Sequence, residues 1–304
     1  MQVHFGFDLL RAEWNASVVC IGTFDGVHLG HRKVIGRAVE VARQCEMPSV
    51  LVTFDRHPAS VIAPEKKPPA IDSLYQNFER FNEIGVAVCI VLPFTEKLMN
   101  TPAANFFEDC LRSKLHASRM VVGHDFAFGH GREGDARWLE ARIPTEVVPP
   151  FEIDGHRVSS SSIRQAIREG KPEVAAKLLG RPFETTGVVV VGERLGRTLG
   201  FPTINIARSF DQVTPADGVY ACICQTVNGT YAAAVNVGRR PSVDGRSRTI
   251  EAHLIDYTGG DLYGTAVRLG FVRRLRDELR FDSLEELRNQ MGRDVQETRG
   301  SIRL

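Results

Sequence analysis

Ten residues, Gly22-Thr23-Phe24-Asp25-Gly26-Val27-His28-Leu29-Gly30-His31, constrain this chain more than any other stretch. They separate an apolar run, Ser17-Val18-Val19-Cys20-Ile21, from a helical pattern over Leu29 to Gln44. The order predicts a strand, a glycine-bearing turn and a helix start. Such a junction leaves backbone N–H groups at the helix N-terminus where a phosphate can dock. His28 and His31, three residues apart, share one helix face, and each imidazole can donate to a phosphate oxygen. Gly26 and Gly30 keep side chains away from a close ligand. The junction carries neither a Walker loop nor a dinucleotide fingerprint, because G-x-x-x-x-G-K-[ST] and G-x-G-x-x-G are both missing from it.

Strand and helix patterns alternate to about residue 180. Ser49–Phe54, Val86–Leu92 and Arg119–Gly123 are continuous apolar runs that suit a parallel sheet covered on both faces. Between them lie helical patterns over Leu74 to Ile84 and from a Thr101-Pro102 cap to Leu115. This order predicts a doubly wound α/β domain over residues 1–180 with ligands beyond the carboxyl ends of its strands. Ser159 to Ser162 opens a further helix ending near Gly170, and Pro172 starts another, closed at Gly180.

From Gly187 the pattern changes to short strand-like runs at Val188–Val191, Gly218–Gln225, Tyr231–Val237, Thr249–Ile255 and Ala266–Val272. Asp-Gly, Asn-Gly and Gly-Gly turns separate them, which predicts a small antiparallel barrel or sandwich over residues 181–304. Ser283-Leu284-Glu285-Glu286 is a capping box opening a last helix. The glycines Gly192, Gly196 and Gly200, four apart among polar residues, suit a loop wrapped around phosphate. Thr203 and Asn205, two apart on a strand, face one side and offer neutral oxygens that suit Mg²⁺. Glu251 alternates with Ile250, Ala252 and Leu254 and so points away from the apolar face.

The first string resembles the H-x-G-H signature of the nucleotidyltransferases. In its G-T-F-D-G-V-H-x-G-H form it resembles the adenylyltransferase module of bacterial bifunctional riboflavin kinase/FMN adenylyltransferases. Thr53-Phe54-Asp55-Arg56-His57-Pro58 resembles that family's T-F-x-x-H-P, and Val122 to Gly129 its V-G-x-[DN]-F-x-F-G. Arg157-Val158-Ser159-Ser160-Ser161-Ser162-Ile163-Arg164 resembles its R-[IV]-S-S-T-x-[IV]-R, with Ser161 in place of threonine. Asn77 stands where the family commonly has Lys or Arg. Gly192 to Asn205 resembles the riboflavin kinase string G-x-x-x-G-R-x-L-G-F-P-T-x-N, and Glu251 to Asp256 resembles its E-x-H-L-[LI]-D.

The resemblance implies two reactions: riboflavin and ATP give FMN and ADP, then FMN and ATP give FAD and pyrophosphate. ATP is co-substrate and Mg²⁺ the implied metal. It implies that His28, His31 and Arg164 stabilise charge in adenylyl transfer and that Glu251 is the base of the kinase step. ATP phosphates would meet Gly22, Phe24, Asp25, Gly26, Gly30, His57, Arg157, Ser160, Ser161, Gly192, Gly196, Arg197 and Gly200. Flavin would meet Asp125, Phe126, Phe128 and Arg274, with Arg276 beside them, and the metal would meet Thr203 and Asn205. Two other readings are an adenylyltransferase with a non-catalytic barrel and a flavin-binding regulator with degenerate sites. The retained Thr203, Asn205 and Glu251 count against the first, and His28, His31 and Arg164 against the second.

A net charge of +1 on 304 residues leaves no electrostatic footprint for nucleic acid. No apolar run reaches membrane-spanning length, and the opening residues predict no signal peptide. Six scattered cysteines without a C-x-x-C predict buried free thiols in a reducing cytoplasm.

Overall fold

The computed structural model describes every residue except Leu9, Glu193, Arg194, Ser209, Val243 and Asp244. For residues 195, 197, 239–242 and 245–247 it describes the backbone only. The chain divides into two compact units, Met1–Ser160 and Ser161–Leu304.

The first unit is built on a six-stranded, all-parallel sheet: β1 (Gln2–Phe5), β2 (Ser17–Ile21), β3 (Ser49–Phe54), β4 (Val88–Leu92), β5 (Ala117–Gly123) and β6 (Thr145–Val148). Its spatial order is β1-β4-β3-β2-β5-β6, so the winding direction reverses at β2. The central strands are buried on both faces, as their unbroken apolar runs require. Val19, Ile21, Val50, Val52 and Ile90 point into one core with Phe106, Phe107 and Leu111. Val18, Cys20, Leu51, Cys89 and Val91 point into the other, under Ile35, Ala38 and Phe81.

Helices α1 (Leu29–Gln44) and α2 (Leu74–Ile84) have the bounds their patterns predict. For α2 the reason is local. Ser73 and Gln76 form a complete capping box, and Gly85 closes the helix in the left-handed region at φ 95°. The helix expected from Thr101 differs. Pro102 has ψ 147° and lies outside it, and Glu133 Oε1 accepts the Ala103 N–H at 2.6 Å, a bond expected of Thr101. After one turn the segment winds as a π-helix over Phe106–Arg112. Strands β1 and β6 went unread in the sequence. A G-x-G-x-x-G string does occur at Gly129 to Gly134, but it connects two-residue antiparallel strands and opens no helix.

From Ser161 the second unit holds the rest of α3 (Ser160–Arg168) and α4 (Pro172–Leu179) and continues as a closed six-stranded antiparallel barrel. Its strands are β7 (Phe183–Val190), β8 (Ile204–Ala207), β9 (Gly218–Thr226), β10 (Gly229–Ser242), β11 (Gly245–Leu254) and β12 (Ala266–Arg276), in spatial order β7-β8-β11-β10-β9-β12. A barrel, not a sandwich, is therefore the outcome. The strands outrun the apolar segments because ladder pairing persists past them, as between Val237↔Ile250 and Ser242↔Gly245. The interior is filled by Tyr220, Val235, Ala252, Leu269 and Phe271, each fully buried. Helix α5 (Leu284–Ser301) starts at Ser283, whose Oγ accepts the Glu286 N–H. The Glu286 carboxylate accepts from Asp282 instead of Ser283, so the expected capping box is half made.

All six cysteines are free, four of them buried and Cys45 and Cys110 half-buried. Burial pushes the Cys89 and Cys224 thiols up to about 12, which keeps them unreactive.

Phe271 packs between Phe183 and Tyr220, with ring centroids 5.7 and 5.4 Å away. Phe271→Ala leaves a cavity in a closed barrel that cannot collapse around it. The expected loss is about 3–5 kcal/mol in denaturant unfolding of the barrel.

Candidate functional sites of the two units

In the first unit the turn at residues 22–28 follows β2, at the carboxyl edge where the winding reverses. Open α/β sheets bind ligands at that point. The turn is strained: Phe24 and the β-branched Val27 have φ of 49° and 38°. Asp25 fastens it. Its carboxylate accepts the Ile71 N–H at 3.0 and 3.1 Å and the Asp72 N–H at 3.3 Å. Ser160 Oγ donates to the Asp25 carbonyl at 3.1 Å. The Asp25 side chain thus fixes the shape of the loop.

His28 is the N-cap of α1. Its Nδ1 accepts the His31 N–H at 3.1 Å, so the proton of the neutral ring sits on Nε2. The two imidazoles stack with centroids 3.5 Å apart, and the Phe24 ring edge braces His31 at 5.3 Å. The first turn of α1 holds no acidic residue, so its positive end is left for an anion. A Cβ at Gly30 would press on the His28 ring at 3.1 Å, and one at Gly26 on Ile71 at 2.8 Å. Gly22 lies under Phe24.

The other expected residues occupy loops at the same strand ends. His57, after β3, accepts the Ala59 N–H on Nδ1 at 3.1 Å. Asp125, after β5, pairs with Arg157 at 2.5 Å. This unites a residue expected at flavin with one expected at phosphate. Phe126 and Phe128 stack on each other, and Phe128 is also packed by Phe106 and Trp138 as core. Asn77 is buried on α2, on the face of Phe81, whose ring meets Phe24 at 6.2 Å. Its Oδ1 makes no hydrogen bond. Ser160 opens α3, Ser161 follows it, and Arg164 is buried one turn on.

The second unit's site is a cavity of about 410 Å³ on the outer wall of the barrel. Thr203, Ala234, Asn236, Glu251 and His253 form its floor. Glu251 stands opposite Asn205 of β8 on one side and Asn236 of β10 on the other. Directly paired residues share a face, so a carboxylate lies between two amides in one row. Ile250, Ala252 and Leu254 point inward and are buried, as the alternation predicts. The Gly192 loop passes over the Asn205 side chain and the Gly196 turn over the Phe201 carbonyl, both too close for a Cβ. Gly200 turns at φ 86°. The Arg197 side chain lies outside the described residues.

Apart from Arg276, the opposite wall was not read from the sequence. It is made by Leu287, Met291 and Val295 of α5 and by Glu278, Leu279 and Phe281 of the strap joining β12 to α5. The i, i+4, i+8 spacing of the α5 residues was the legible signal. Arg276 lines the cavity and makes a two-pronged pair with buried Asp294, at 2.8 and 2.7 Å. Arg274, expected at flavin, donates to the Asp217 carbonyl and to Asp277.

Burial pushes the Asp125 carboxyl up, but the Arg157 hydrogen bond with the charges of His124 and Arg157 outweighs it and holds the group below the ordinary value. A depressed carboxyl contributes its stability above the unfolded value and loses it as pH falls through the folded one. Arg157→Ala leaves burial less opposed, so Asp125 should titrate at higher pH than in the unaltered protein. Carboxyl-carbon NMR titration checks the direction.

Residues 10–162 match the sequence profile of the FAD synthetase family, and residues 179–302 that of riboflavin kinase. The bifunctional riboflavin kinase/FMN adenylyltransferase of Escherichia coli K12 is 36% identical over 94% of this chain and 93% of its own length. Those of Pseudomonas fluorescens and Bacillus subtilis are 36% and 31% identical over 97% and 95% of this chain and 96% and 93% of theirs. A crystal structure described as a macrolide-efflux protein from Streptococcus pneumoniae superimposes with TM-score 0.90 at 31% identity. It covers 98% of this chain and 99% of its own. Among the described residues here, no helix is long and apolar enough to cross a membrane.

Proposed function

This chain belongs to the bifunctional riboflavin kinase/FMN adenylyltransferase family, and from that premise we infer how its residues divide two successive reactions. It is an enzyme of flavin-cofactor biosynthesis that phosphorylates riboflavin and adenylylates FMN with ATP. We assign residues 1–180 to adenylyl transfer and residues 181–304 to the kinase step. Riboflavin, FMN, FAD and ATP are its small-molecule partners. Unpaired thiols support a cytoplasmic location.

In adenylyl transfer an FMN phosphate oxygen forms a bond to the α-phosphorus of ATP, and the bond to pyrophosphate breaks. The nucleophile is already an anion, so alignment and charge stabilisation carry the step. The supporting observation is the stacked His28–His31 pair at an N-terminus without acidic residues. We assign both rings to the phosphates under attack. Arg164, Arg157, Ser160 and Ser161 are assigned to the phosphates of ATP, and Asp125 and Phe126 to flavin.

In the kinase step Glu251 accepts the proton of the ribityl 5′-hydroxyl as that oxygen attacks the γ-phosphorus and ADP leaves. The single observation that carries this reading is the Asn205–Glu251–Asn236 row, whose Glu251 and Asn236 lie on the floor of a cavity of about 410 Å³. No cluster of three acidic, His or Cys ligands occurs among the described residues. The neutral oxygens of Thr203 and Asn205 therefore fit a Mg²⁺ ion that arrives largely coordinated by phosphate and water. When bound, that ion neutralises charge on the transferred phosphoryl group.

His28→Ala removes one preorganised donor and should lower FAD formation by roughly 10²–10³ while riboflavin phosphorylation persists. Chromatography resolving riboflavin, FMN and FAD reads both at once. Equal damage to both reactions, or none to FAD synthesis, would remove the assignment.

Glu251→Gln keeps size and hydrogen bonding but deletes the base. Riboflavin phosphorylation should fall by about 10²–10⁴. Conversion of supplied FMN to FAD should stay near that of the unaltered protein. Full kinase activity in this variant would make Glu251 a solvated strand residue.

A further inference from the structure

Strand β8 enters the barrel abruptly. Ile204 is its first residue paired to β11, opposite Ala252. Pro202, just ahead, has no N–H to give to a ladder. Its carbonyl is held by a side chain instead: His253 Nδ1 lies 2.9 Å from the Pro202 oxygen. A carbonyl oxygen only accepts, so Nδ1 carries the proton and donates it. The Phe201 ring meets the same imidazole edge-on, with centroids 5.4 Å apart at 80°. One imidazole therefore clamps both residues that precede Thr203. The pairings Asn205↔Glu251 and Ile204↔Ala252 lead, one step on, to Thr203 beside His253. Thr203, Glu251 and His253 all line the cavity.

We propose that His253 is a positioning residue of the kinase reaction, fixing the Thr203 hydroxyl relative to Glu251 through its hydrogen bond to the Pro202 carbonyl. The proposal rests on the assignment of Thr203 to the kinase site. Side-chain bonds of this kind replace a missing ladder bond and hold a backbone segment that has no other register. A small displacement of a group aligned for phosphoryl transfer is costly in rate.

The test is steady-state kinetics of riboflavin phosphorylation by the full chain carrying His253→Ala, His253→Asn, His253→Gln, Thr203→Ala, or His253→Ala with Thr203→Ala. An asparagine Nδ2 falls near the histidine Nδ1, whereas a glutamine Nε2 falls near the histidine Nε2. His253→Ala should lower kcat/KM for ATP with Mg²⁺ by about 10- to 100-fold. His253→Asn should recover to within about threefold of the unaltered enzyme, and His253→Gln should not recover. The double variant should be no worse than Thr203→Ala alone.

Recovery with glutamine and not asparagine would mean that Nε2 touches substrate, and would overturn the proposal. Unchanged kinetics in His253→Ala, or additive losses in the double variant, would overturn it as well. If Thr203→Ala alone is without effect, the kinase-site assignment falls and the proposal with it. If the alanine variant fails to fold, the asparagine–glutamine contrast decides.

Discussion

The first unit's site depends on the grip of Asp25. Two backbone N–H groups from residues 71 and 72 close on its carboxylate, and the hydroxyl of Ser160, the last residue of the unit, closes on its carbonyl. This one residue joins three separate segments. Its bonds oppose the strain at Phe24 and Val27, where positive φ costs of order 1–3 kcal/mol per residue. The strained turn in turn sets His28 as a cap and stacks it on His31. A carboxylate that would repel phosphate in the open serves here by being occupied.

The two candidate sites are built in different ways. In the first, a helix start and two stacked imidazoles stand at the carboxyl rim of a parallel sheet, the place the topology itself selects for a ligand. In the second, no strand rim is used. The Asn205–Glu251–Asn236 row lies across the outer wall of a barrel, where three neighbouring strands meet in register. Backbone approach there comes from Gly192 and Gly196, which pass over the Asn205 side chain and the Phe201 carbonyl too closely for any side chain.

Elements defined by local chemistry were legible in the sequence. Helices α1 and α2 have caps and periodicity that agree, and Glu251 was placed by simple alternation. Features that depend on distant partners were not legible. The Ala103 N–H is capped by Glu133, thirty residues away, so a Thr-Pro signal misled. Edge strand β1 exposes most of its residues and carries no buried run. The ends of β10 and β11 are polar and are paired only because they face each other. Half of the second cavity was hidden for the same reason. Leu287, Met291 and Val295 have the spacing of an ordinary buried stripe, and nothing local shows that the stripe faces a void.

Glu251 sits mid-strand in a closed barrel, with a ladder on each side. To re-aim its carboxylate by slippage, both ladders would have to break and Ile250 and Ala252 would turn outward into the cavity. The floor is therefore almost immune to small sequence drift. The wall opposite is one helix face and a short strap, joined to the barrel by Arg276 and Asp294. Substitutions on that wall leave the paired strands of the floor in register. The fold thus separates an inheritable chemistry from an adjustable appetite.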